Sequence, residues 1–107
     1  RQLAFLNSRG WQGDHEGIAL VERGSGGYLL FTDQIAGSSV YHARSRDFPY
    51  RELGSFTIGA DETDGIDALG ANLGPGYERG LFVAMNSSGK NFLGLPLAEL
   101  ERALDIR

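Results

Sequence analysis

Short apolar runs alternate with glycine-rich or polar turns along the whole chain, a pattern that suits strands rather than long helices. Leu3 to Leu6 is a first strand candidate, followed by the polar turn Asn7-Ser8-Arg9-Gly10. Ile18 to Val21 reads as a buried strand, and the turn from Arg23 to Gly27 joins it to Tyr28 to Thr32, which ends in Asp33-Gln34. Ser39 to Arg44 and Glu52 to Gly59 both alternate as half-exposed strands do. Four short strands linked by tight turns form an antiparallel meander.

Beyond an acidic stretch, Gly80 to Met85 and Asn91 to Leu97 predict two more strands, with Pro96 suited to a strand end or an edge. Leu97, Leu100 and Leu104 share one face of a short helix over Ala98 to Leu104. The second unit therefore has fewer strands than the first. Repeated four-stranded units build β-propellers, so the expected fold is all-β, with residues 1–107 supplying about two blades of an incomplete propeller. The missing blades would lie elsewhere in a parent polypeptide or in neighbouring copies.

Composition narrows the function. A chain of 107 residues is one domain at most, and its 16 glycines fit a turn-rich β protein. The net charge of -4 gives no basic field to hold nucleic acid or an anionic membrane, so neither is expected as a partner. The absence of cysteine removes disulfides, thiolate chemistry and cysteine-bound zinc. No apolar run reaches the length of a membrane span and no signal peptide is visible. The chain opens on Arg1 without an initiator methionine, and so reads as a processed product or a piece of something longer.

The acidic stretch carries the chemistry. Asp61, Glu62, Asp64 and Asp67 place four carboxylates within seven residues, and their mutual repulsion in a partly buried site calls for a counter-ion. A hard cation bound through oxygen, most simply calcium, supplies it. The loop is not an EF-hand, because taking Gly65 as the sixth position puts Ala60 first and Ala71 last. Asp14 and Glu16, at i and i+2, point the same way on a strand and suit shared cation binding, while His15 faces oppositely. His42, on an alternating strand, reads as a surface residue. Gly89-Lys90-Asn91 lacks the earlier glycine and the Ser/Thr of a phosphate loop, and no Gly-x-Ser-x-Gly elbow occurs.

Taken together, these pieces resemble the C-terminal part of the β-propeller phytases, calcium-dependent phosphatases acting on inositol hexakisphosphate. The resemblance rests on Asp14-His15-Glu16-Gly17, Gly27-Tyr28-Leu29-Leu30 leading to Asp33-Gln34, and Ser39-Val40-Tyr41 to Arg44. It continues through Glu62-Thr63-Asp64-Gly65-Ile66-Asp67-Ala68-Leu69-Gly70, Leu73-Gly74-Pro75-Gly76-Tyr77, Gly80-Leu81-Phe82-Val83-Ala84 and Asn91-Phe92, all in the family's order. The resemblance implies a six-bladed propeller with calcium ions in its channel, which activate water for attack on phosphorus, and a secreted or periplasmic location. Carried over by motif, Asp14 and Glu16 are calcium ligands and catalytic residues, and Gln34 and Arg44 line the substrate site. Asp61, Asp64, Asp67 and Asn86 belong to the calcium-binding acidic region. The chain departs from the family in keeping one Thr-Asp-Gly unit, and in having Asn86 where the family has an acidic residue, which removes a charge from that calcium site. Two rival readings are a non-catalytic propeller module that binds a ligand or protein partner, and a structural fragment whose carboxylates only cap turns.

Overall fold

The computed structural model describes Leu6 and residues 10–106. The expected Leu3 to Leu6 strand and most of the turn after it lie outside the described residues. The elements are β1 (Asp14–Arg23), β2 (Gly26–Ile35), β3 (Ser38–Ser45), β4 (Glu52–Phe56), β5 (Ile66–Leu69), β6 (Leu81–Asn86), β7 (Asn91–Pro96) and α1 (Leu97–Ala103). They form two antiparallel sheets, one in the order β1-β2-β3-β4 and one in the order β5-β6-β7. The all-β reading holds.

Several boundaries differ from the sequence pattern. β1 begins at Asp14 rather than Ile18, because its polar start pairs with the polar end of β2: Asp14 lies opposite Gln34, and His15 opposite Asp33. An irregularity between His15 and Ile18 then re-aims the strand. β4 stops at Phe56 instead of reaching Gly59, and the helix starts at Leu97. β5 was not expected; four residues at the tail of the acidic stretch are short enough to pass for loop.

Alternation decides what each sheet buries. The first sheet turns Ala19, Val21, Tyr28, Leu30, Tyr41 and Ala43 inward, and the second answers with Phe82 and Ala84. Tyr41, Phe56 and Phe82 meet as an aromatic trio with ring centroids 5.3–5.8 Å apart. Leu97 and Leu100 of α1 close the core. The opposite faces stay open: Ile18 and Leu20 on the first sheet and Leu69 on the second are exposed.

Two contacts fix how the sheets meet, one toward each end of β1. β5 lies alongside β1 in the same direction, and a side chain at Gly17 would put its Cβ 2.9 Å from Ile66 Cγ1 and 3.2 Å from Ile66 N. Only glycine lets the strands approach this closely. At the other end the buried carboxylate of Glu101 takes Arg23 Nε at 2.8 Å, Arg79 Nε at 2.6 Å and the Tyr28 hydroxyl at 2.6 Å. Arg23 also donates to the carbonyls of Gly70 and Arg79, so one guanidinium joins β1, the loop after β5 and the helix.

Burial alone would raise the Glu101 carboxyl, but the hydrogen bonds from Arg79, Tyr28 and Arg23 outweigh it and hold it below the usual glutamate range. Because the folded-state value is depressed, this contribution is full above about pH 4.3 and is lost as pH falls through the folded value. Glu101→Ala should cost about 3–5 kcal/mol in urea unfolding at neutral pH and flatten the acid limb of stability against pH. An unchanged acid limb would remove Glu101 from this role. Gly17→Ala should cost about 1–3 kcal/mol by forcing β5 off β1, again read by urea unfolding.

Candidate metal and phosphate site

The N-terminal end of β1, the C-terminal end of β2 and the loop before β5 converge at one place. Asp14 opposes Gln34 in the ladder. With its amide nitrogen turned toward them, Gln34 donates to Glu16 Oε1 and Asp64 Oδ1, each at 3.2 Å. The structure therefore brings Glu16 and Gln34 of the first sheet together with Asp64 of the loop before β5, and Asp14 stands across the ladder from Gln34. Asp14, Glu16 and Asp64 are exposed and Gln34 is half-buried, so the cluster opens to solvent.

The loop that carries Asp64 is held by groups the sequence pattern did not single out. Ser39 Oγ donates to the Asp61 carbonyl and accepts the Thr63 N–H at 2.9 Å. The Thr63 hydroxyl, fully buried, meets the Tyr41 hydroxyl at 2.8 Å. Asp61 accepts the Ser87 and Ser88 N–H groups at 2.7 Å each, while its own N–H donates to Asn86 Oδ1 at 3.0 Å. Hydrogen bonds from Ser88, side chain and backbone, and from Ser87 keep the Asp61 carboxyl below the usual aspartate range. Asp61 and Asn86 thus meet, each with an oxygen engaged in tying the acidic loop to the β6–β7 turn.

Asp67 and Arg44 lie elsewhere. Asp67 is exposed, and its Oδ1 accepts the N–H of Ala68. Strand alternation puts Arg44 on the opposite face of the first sheet from Gln34, where it sits 5.9 Å over the Trp11 ring and 3.8 Å from Glu52. His42, expected at the surface, is only 8% exposed. It is enclosed by Asp33, Glu52 and the Trp11 ring, partners drawn from other strands and from the segment before β1.

The donor chemistry at Glu16, Gln34 and Asp64 fits a hard cation. Two carboxylates sit within hydrogen-bond reach of one amide, which can bridge them through its nitrogen or rotate to present its oxygen. An oxygen-only set that is open to solvent, leaving further positions for water or ligand oxygens, matches the habits of calcium. Among the described residues no three Asp, Glu or His side chains gather closely enough to cage an ion by themselves. Likewise, no helix among them is long and apolar enough to cross a membrane.

Comparison with known proteins identifies the family. The Phytase family model matches residues 7–92. The 3-phytase of Bacillus subtilis (strain 168) is 37% identical over 87 residues, covering 69% of this chain and 22% of that protein. The chain thus spans about a fifth of the length of this curated relative. With the family model matched over most of the chain, including every residue of the converging cluster, the protein belongs to the Phytase family.

Proposed function

We propose that this chain forms part of a calcium-dependent phosphomonoesterase that hydrolyses inositol hexakisphosphate. The observation that carries the reading is the meeting of Glu16, Gln34 and Asp64 at one solvent-open point, in a chain of the Phytase family. Asp14 and Glu16 from β1 and Asp64 from the acidic loop hold calcium there, and Gln34 orients the cluster and the phosphate oxygens. Bound calcium supplies charge neutralisation of the phosphate and a water activated near neutral pH. The chain's carboxylates could not hold a polyanion unaided, given a net charge of -4, so the cation and basic residues outside this chain complete the substrate site.

The architecture proposed is that of neighbouring propeller blades. Two features support it: β5 runs alongside β1 in the same direction, and each sheet leaves apolar residues exposed on its outer face. Ile18 on one side is 60% exposed and Leu69 on the other is 56% exposed. Sheets stacked in one sense, with an open face at each end, bury those faces by adding further sheets until a ring closes. The remaining blades come from the rest of the parent polypeptide or from other copies. The reading also carries a secreted or periplasmic location.

The full-length protein should release phosphate from inositol hexakisphosphate in the presence of calcium, and chelation should abolish that release. Loss of a supporting neighbour of a metal ligand costs about 10–100-fold, so Glu16→Gln and Asp64→Asn should each lower kcat at least about 100-fold. Calcium binding without any phosphate release would favour the non-catalytic module instead. Chelator-insensitive hydrolysis would contradict the metal assignment.

A further inference from the structure

The segment that enters β1 is strapped down by a buried group that the proposed chemistry does not use. Asp33 sits beside Gln34 in β2, but alternation turns it to the opposite face, where it is buried. Its Oδ1 accepts the Gly13 N–H at 2.7 Å, and its Oδ2 accepts the Gln12 N–H at 3.0 Å. His42 Nε2 lies 3.2 Å from the same Oδ2, and His42 Nδ1 lies 3.3 Å from Glu52 Oε1. Trp11 stacks flat on His42 at 4.5 Å between centroids and meets the edge of His15 at 4.8 Å. Gly13 passes so close to β2 that a side chain there would place its Cβ 1.7 Å from the Gln34 carbonyl oxygen.

Burying a carboxylate is unfavourable unless hydrogen bonds compensate it, and Asp33 uses both oxygens on the two N–H groups just before Asp14. Burial alone would raise its carboxyl, but those N–H donors and His42 hold it below the usual aspartate range. The strap therefore fixes the direction in which the chain enters β1. That direction bears on where Asp14 and Glu16 point, because Asp14 follows the strap directly and Glu16 falls in the irregular stretch between His15 and Ile18, where the regular ladder register does not fix it.

We propose that Asp33 and His42 are positioning residues, which hold the Trp11 to Gly13 strap and through it aim Asp14 and Glu16 at their shared cation. This role rests on the reading that Asp14 and Glu16 bind calcium. It adds a supporting shell on the face of the sheet opposite the ligands, where its groups never touch substrate.

The test is calorimetric calcium titration of the full-length protein, with kcat and KM measured in parallel. Asp33→Ala should raise the calcium dissociation constant about tenfold and lower kcat with KM unchanged. Asp33→Asn, which keeps one oxygen for one of the two N–H groups, should recover part of both. Leu100→Ala weakens the core away from the strap and should leave the calcium constant as it is in the wild type. Should Asp33→Ala fail to fold, His42→Phe serves in its place, since it retains a ring under Trp11 and loses the bonds to Asp33 and Glu52; it should give a smaller rise in the same direction. If Asp33→Ala or His42→Phe shifts the calcium constant no more than Leu100→Ala does, while Glu16→Gln clearly weakens binding, the positioning role is overturned and the calcium site stands. A wild-type protein that binds no calcium, or binding indifferent to Glu16→Gln, overturns the site assignment and the positioning role with it.

Discussion

Everything else in this structure depends on the two sheets packing together where β1 and β5 lie alongside each other. Neither sheet can bury its apolar face alone, and the shared core of Tyr28, Leu30, Tyr41 and Phe82 exists only between them. The contact is set by a missing side chain at Gly17 and by a buried charge at Glu101. The first lets the backbones close; the second prevents them sliding, since Arg23, Arg79 and Tyr28 must all reach one carboxylate. With both in place, Asp64 of one unit arrives next to Glu16 of the other.

Carboxylates in this chain divide into two kinds by what satisfies them. Asp33, Asp61 and Glu101 are occupied by N–H, hydroxyl or guanidinium donors, and each is held below its ordinary titration range. They work as internal ties: Asp33 holds the entry to β1, Asp61 holds the acidic loop to the β6–β7 turn, and Glu101 holds the helix to both sheets. Glu16 and Asp64 share only the amide of Gln34, a neutral group that offsets little of their repulsion. Their remaining oxygen capacity faces solvent, which is the arrangement a cation would exploit.

Much of this was legible in the residues. Alternation and tight turns located six of the seven strands, and the i and i+2 spacing of Asp14 and Glu16 put both beside Gln34. The rest was hidden for physical reasons. β5 is four residues long and begins in an acidic stretch, so its inward pair, Ile66 and Ala68, is too short to show a period. Glu101 falls four residues after Leu97 and thus on the buried stripe of α1, but its partners lie far away in sequence. His42 alternates like a surface residue, and only the fold supplies Trp11, Asp33 and Glu52 to enclose it. Arg44 matched a site motif by order along the chain, yet strand alternation sends it to the face away from Gln34.

In the proposed site one cation is shared between Glu16 of the first sheet and Asp64 of the loop that leads into the second. A double-mutant cycle on calcium affinity in the full-length protein, using Glu16→Gln, Asp64→Asn and the pair together, tests it most directly. Residues that share one ligand couple, by about 0.5–3 kcal/mol in such cycles, whereas distant ones add. A shared ion gives strong coupling, with the double variant binding calcium little worse than the weaker single variant. Two independent losses that simply multiply would contradict it, and would mean that Glu16 and Asp64 do not serve the same ion.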